Sequence, residues 1–247
     1  MNPGPAIPAL AVRGLRAGYG HGGDIVCGID LDQSPGSILA VIGPNGSGKS
    51  TLVKTLAGLL RPRAGSIAVS GRDVSQASPA RRLAAGLAYV PQEANIFRNL
   101  TIAENLKLAT EFLRGRAGIG PARKAEVMAL FPELSPRPKR LAGHLSGGQR
   151  QMLAFASALL ANPAMLLLDE PSAGLSPKFV GATMEAVLRV RASGVGVLLV
   201  EQNVQAALRV ADEVMVLVAG RQRLRASALD VSHADLAELF FAKAGSA

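Results

Sequence analysis

Ser37 to Ser50 reads SILAVIGPNGSGKS, and this stretch decides the fold. Ser37 to Ile42 is an apolar run rich in β-branched residues, short enough to be one buried strand. Gly43 to Ser50 fits G-x-x-x-x-G-K-[ST], and a helix-like stretch from Ser50 to Leu60 follows until Arg61-Pro62 ends it. Glycines between a strand and a helix let consecutive backbone N–H groups converge on an anion, because no Cβ stands in the way. The helix start adds partial positive charge. The pattern predicts a phosphate-binding loop made by Gly43, Pro44, Asn45, Gly46, Ser47, Gly48, Lys49, Ser50 and Thr51. Within it, Lys49 would reach the outer phosphates and Ser50 would offer its hydroxyl to Mg²⁺.

Strands of the same kind recur further along. Met165 to Leu168 runs into Asp169-Glu170-Pro171, Val195 to Val200 ends in Glu201-Gln202-Asn203, and Glu213 to Val218 ends at Ala219-Gly220. Open parallel sheets place their ligands at such carboxyl ends. An aspartate at a strand tip beside a phosphate loop can hold Mg²⁺, usually through water, which assigns Asp169 to the metal. The next carboxylate, Glu170, can orient or polarise an attacking water. Strand and helix signals alternate from about Leu10 onward, so an α/β fold around a mostly parallel sheet is expected. Ala11 to Ser34 and Gly65 to Asp73 read as short antiparallel strands. Glu93 to Leu145 differs: helical periodicity in Ile102 to Leu113 and Arg123 to Phe131 precedes a proline-rich turn, SPRPKR, which predicts an inserted helical subdomain. His233 to Ala244 reads as a terminal helix.

The bulk numbers narrow the classes. A chain of 247 residues with 49% hydrophobic content can bury a sizeable core. Mean hydropathy is +0.26, yet the longest apolar runs are far shorter than the roughly 20 residues needed to span a bilayer. The formal charge of +9 comes from 27 basic against 18 acidic residues. Those basic residues are scattered and no aromatic residues are interleaved among them, so a solvated basic surface is expected and no nucleic acid partner. The opening MNPGPAIPAL lacks a basic n-region and carries three prolines, so residues 1–8 read as a flexible leader and the chain is expected to stay in the cytosol. One cysteine, Cys27, excludes an intrachain disulfide and is expected as a small buried apolar residue.

Leu145 to Gln151, LSGGQRQ, resembles the signature sequence of the ABC ATPase family. Ser146, Gly147 and Gly148 offer a hydroxyl and exposed backbone donors before a helix of LAFASALLA type, a second anion-binding helix start. The resemblance runs from about residue 9 to 240. It implies a single domain over 9–247: a P-loop NTPase (RecA-like) core with an N-terminal antiparallel β subdomain (about 9–92 and 150–247) and a helical subdomain (about 93–149). It also implies that Leu145, Ser146, Gly147, Gly148 and Gln149 contact ATP bound to a second ATPase subunit, so that two chains sandwich two nucleotides. Tyr19 matches the family's adenine-stacking aromatic ring. Gln92, after AYVP, matches the glutamine that touches Mg²⁺ or the attacking water. Lys49, Glu170 and Gln202 are then the catalytic residues, with ATP and Mg²⁺ as cofactors.

Two departures narrow the resemblance. PSAGLSP has Ser176 where many members carry an aspartate, which puts an aspartate-mediated contact across the dimer in doubt. VEQN has Gln202 where most carry a histidine, and a glutamine has no titratable proton near neutral pH. Together with Y-V-P-Q and L-T-I-A-E-N-L, these features resemble the ATPases of branched-chain amino acid importers and their urea or amide relatives. That subgroup implies a peripheral position on the cytoplasmic face of the inner membrane. Its implied partners are a homologous ATPase, integral membrane permeases and, through the complex, a solute-binding protein. A lipid or polysaccharide exporter ATPase and a non-transport ABC ATPase acting on nucleic acid are the alternatives.

Overall fold

The computed structural model describes residues 7–93, 95–111, 113 and 120–241. Its strands are β1 (Leu10–Ala17), β2 (Val26–Gln33), β3 (Ile38–Ile42), β4 (Ala64–Val69), β5 (Arg72–Asp73), β6 (Leu87–Val90), β7 (Met165–Asp169), β8 (Gly196–Val200), β9 (Glu213–Val218) and β10 (Arg221–Ser227). The helices are α1 (Lys49–Ala57), α2 (Pro79–Ala84), α3 (Ile102–Glu111), α4 (Pro121–Leu130), α5 (Gly147–Leu159), α6 (Pro177–Ala192), α7 (Val204–Leu208) and α8 (His233–Phe241).

Two sheets result. One is antiparallel in the order β2-β1-β4-β5, and the other runs β10-β9-β3-β8-β7-β6. Within the second, β6, β7, β8, β3 and β9 are mutually parallel, and only the β9–β10 hairpin is antiparallel. Every residue of β3, β7 and β8 is buried, as a strand covered on both faces requires. Side-chain alternation assigns the faces. Leu166, Leu168, Val197 and Leu199 pack with α5 and α6 residues, whereas Met165, Leu167, Leu198 and Val200 join the core shared with α1 and the antiparallel sheet.

Several boundaries differ from expectation. The helix read as Ser50 to Leu60 stops at Ala57, because Gly58 takes φ 81° and its N–H turns back to the carbonyls of Lys54 and Thr55. The stretch read as Arg123 to Phe131 begins at Pro121, whose ring suits a first helical turn, with Gly120 before it. Of the terminal helix, 242–244 lie outside the described residues, as do 1–6 of the leader. Cys27 is only partly buried. In β2 it stands on the face opposite Val26, and its Sγ rests 3.4 Å from the Asp24 carbonyl.

No helix among the described residues is long and apolar enough to cross a membrane.

Candidate functional site

The site grows from the carboxyl edge of the parallel sheet. Val41 of β3, Val200 of β8 and Asp169 of β7 lie in one register row. With strands about 4.8 Å apart, Asp169 sits about 10 Å from the strand that feeds the glycine turn. The strands leave the sheet at or one residue past this row: β3, after Ile42, into Gly43, β7 into Glu170 and β8 into Glu201.

The turn is held tightly. Gly43 has φ 158°, and a Cβ there would lie 2.1 Å from the Leu217 carbonyl oxygen, so only glycine lets the turn pass β9 this closely. Gly220 N–H donates to the Ser47 carbonyl at 2.8 Å and Cys27 N–H donates to the Gly220 carbonyl at 2.8 Å. The turn is thus tied to the β9–β10 hairpin and, through it, to β2. Asn45, Gly46, Ser47, Gly48, Lys49, Ser50 and Thr51 line a cleft of about 260 Å³ together with Ile25 and Glu170.

Lys49 is 5% exposed. Its ammonium donates to the carbonyls of Gly43 at 2.8 Å and Pro44 at 3.1 Å. Burial pushes its pKa below the ordinary lysine value, opposed by the charges of Glu170 and then Asp169. The cation is therefore largely desolvated and, among the described residues, bonded only to neutral oxygens, a state that favours a polyanion in the cleft. Asp169 is 5% exposed, and burial lifts its carboxyl above the usual range. Its Oδ2 accepts from the Tyr89 hydroxyl at 3.1 Å, while its Oδ1 is buried without a hydrogen-bond partner, as is the Ser47 hydroxyl. Buried polar atoms are normally paired, and an unpaired buried carboxylate oxygen on the strand tip suits a hard cation that keeps several waters. The residues present fit Mg²⁺.

Glu170 adopts φ 46°, unusual for a residue with a side chain, and its N–H donates to the Val200 carbonyl at 2.9 Å. Such strain costs about 1–3 kcal/mol and gathers at functional sites. Here it turns the Glu170 side chain onto the lining of the phosphate cleft.

The remaining sequence-derived residues fall around this centre. Tyr19 is 49% exposed on the loop between β1 and β2. Arg63 clamps that loop, donating to the carbonyls of Tyr19 at 3.3 Å, Gly20 at 2.8 Å and Gly22 at 2.5 Å. Gln92 and Gly147 line a neighbouring cleft with Arg150 and Gln151; none of Leu145–Gln149 lines the phosphate cleft of its own chain. Ser146 caps α5, its Oγ accepting from Gln149 N–H at 3.3 Å while Gln149 Oε1 accepts from Ser146 N–H at 3.1 Å. Gln202 is exposed just past the end of β8.

Tyr89 and Arg63 carry no sequence signal of their own. Tyr89 also lines an apolar groove of about 380 Å³ with Leu59, Leu83, Ala109, Leu113 and Ala158.

The ABC transporter family model matches residues 26–173. The chain is 45% identical over 208 residues to the probable branched-chain amino acid transport ATP-binding protein LivF of Archaeoglobus fulgidus, covering 84% of this chain and 87% of that one. It is 38% identical over 193 residues to the high-affinity branched-chain amino acid transport ATP-binding protein BraG of Pseudomonas aeruginosa, covering 78% and 82%. Among solved structures, the ATP-binding cassette MJ1267 of an ABC transporter, in its ADP conformation, superposes with a TM-score of 0.80 at 25% identity over 94% of each chain.

Proposed function

Because the chain belongs to the ABC transporter family as an ATP-binding, ATP-hydrolysing subunit, we propose that it energises import of branched-chain amino acids. The cargo reading is supported by the likeness to LivF and BraG, which extends over most of each chain. The residue roles are supported by one observation above the rest: the buried Lys49 ammonium lines a cleft with Glu170 and feels the charges of both Glu170 and Asp169.

In this reading Tyr19 stacks on adenine, and the backbone of Gly43 to Thr51 holds the phosphates. Mg²⁺ would neutralise phosphate charge, with Ser50, Asp169 and Gln92 as the residues to hold it. Lys49 balances the charge that develops on the outer phosphate oxygens. Glu170 orients the water whose oxygen bonds to the terminal phosphorus as the bridging oxygen leaves with ADP. Gln202 positions that water by hydrogen bonding, with no acid-base part. Leu145 to Gln149 serve the nucleotide of a second ATPase chain, a reading supported by their absence from the lining of this chain's own cleft. The apolar groove beside Tyr89 is where an integral membrane permease would dock, since exposed apolar grooves mark interaction sites. Tyr89 would connect that groove to Asp169 through its hydroxyl. A solute-binding protein would act through the same complex on the far side of the membrane, with this chain peripheral on the cytoplasmic face.

Two experiments test the proposal. Glu170→Gln should lower turnover at least about 100-fold while retaining ATP and holding chains paired, read by nucleotide retention and light scattering; rapid hydrolysis by this variant would remove the role given to the carboxylate. Deleting the gene should abolish uptake of labelled leucine at limiting concentration. Unchanged uptake would reject the cargo.

A further inference from the structure

Glu201 is a buried acid that neither the phosphate cleft nor the proposed metal set uses. It is 1% exposed, and no ion pair involves it among the described residues. Instead its carboxylate accepts from Ser172 N–H at 3.0 Å, from the Ser172 hydroxyl at 2.9 Å and from Asn203 N–H at 3.3 Å. Ser172 stands two positions after Glu170, and Asn203 one position after Gln202.

This arrangement continues the sheet beyond its last rung. The β7–β8 ladder closes at Asp169 opposite Val200, and Glu170 N–H still reaches the Val200 carbonyl. Past that point no backbone pairing among the described residues holds the two emerging loops together, and the Glu201 side chain spans the gap. Asn203 is itself fixed as the cap of α7, its Oδ1 accepting from Ala206 N–H at 3.0 Å. One carboxylate therefore staples the loop of Glu170 to the loop of Gln202, on the strand that lies between the phosphate loop and Asp169.

We propose that Glu201, with Ser172 as its partner, is a positioning residue that holds Glu170 and Gln202 in the relative placement the hydrolytic step requires. Burial lifts the Glu201 carboxyl above the usual range, so keeping a charge here has to be offset by its donors. A neutral amide would offer a single acceptor oxygen and leave part of that donor set unpaired. A misplacement of about 1 Å in a reacting group lowers turnover by up to about 100-fold without weakening ground-state binding. The inference rests on the ATPase roles given to Glu170 and Gln202.

The test uses the full-length chain with Ser172→Ala, Glu201→Gln and the double variant. Turnover at saturating MgATP, the MgATP dissociation constant and the thermal midpoint are measured for each. Each single change should lower turnover about tenfold or more while leaving the dissociation constant within about twofold. The double variant should be little worse than Glu201→Gln alone, because the two changes remove one shared bond. Ser172→Ala keeps the backbone donor, so it carries the test if Glu201→Gln does not fold. Wild-type turnover in both singles would overturn the proposal, as would a loss of MgATP affinity equal to the loss of turnover. So would independent, multiplying effects in the double variant. If wild-type chain takes up no MgATP, the underlying ATPase reading fails; intact uptake with unchanged turnover sinks the staple alone.

Discussion

Replacing Lys49 with methionine should separate function from stability. Lys49 is 5% exposed, and among the described residues its ammonium bonds only to the carbonyls of Gly43 at 2.8 Å and Pro44 at 3.1 Å. Losing those two bonds to a charged donor costs about 1.5–3 kcal/mol each. Removing a desolvated cation without a hydrogen-bonded carboxylate returns several kcal/mol. These terms nearly cancel, so the empty Lys49→Met chain should differ from wild type by no more than about 2 kcal/mol, or about 8 °C in thermal midpoint for a chain of this size. Turnover should behave differently. A donor aimed at charge that develops in the transition state contributes about 2.7–4 kcal/mol, and its loss lowers kcat about 100- to 1,000-fold. Calorimetric melting of the empty chain and a phosphate-release assay at saturating MgATP read the two quantities side by side. Near-wild-type turnover would refute the reasoning. A fall of more than about 15 °C in the empty chain's midpoint would show that Lys49 holds the fold together.

Asp169→Asn should stabilise the empty chain near pH 7. Burial raises the Asp169 pKa in the folded state, so between the ordinary carboxylate value and that raised value the native state binds more protons, and stability falls as pH rises through the window. The asparagine removes this penalty and still accepts from Tyr89, so its advantage should shrink as the pH drops through the raised Asp169 pKa. Urea midpoints at pH 7 and pH 4 check the sign; an advantage that grew on acidification would contradict it. Gln202→His should add an imidazole-like ionisation to the rate profile between about pH 6 and 8, where glutamine has no proton to titrate. An unchanged profile would place residue 202 away from the reacting water.

The strand, turn and helix around Gly43 to Ser50 were legible because each link has local chemistry: an apolar β-branched run, glycines at a tight approach, and a lysine and hydroxyl at fixed offsets. The ends of β7 and β8 were legible for the same reason, since apolar runs stop abruptly at acids and amides. β10 was not. Its sequence, RQRLRAS, is polar and basic, and it becomes a strand only by pairing with β9 across the Ala219-Gly220 turn. Gly58 and Pro121 did carry boundary signals, as a helix stop and a helix start, and reading them would have set α1 and α4 correctly. Glu201 was visible only as part of VEQN, because an acid at a strand end reads as surface. Its burial depends on Ser172, 29 positions away in the chain. Tyr89 and Arg63 likewise act through partners distant in sequence, Asp169 and the Tyr19 loop.

The most direct measurement is the heat of MgATP binding to the intact wild-type chain, titrated beside ATP in excess chelator and beside the Lys49→Met variant. About one nucleotide should bind per chain, with uptake that depends on magnesium and weakens sharply in the variant. No uptake by the wild-type chain, or uptake that ignores both the metal and Lys49, would contradict a phosphate site built on the turn between β3 and α1.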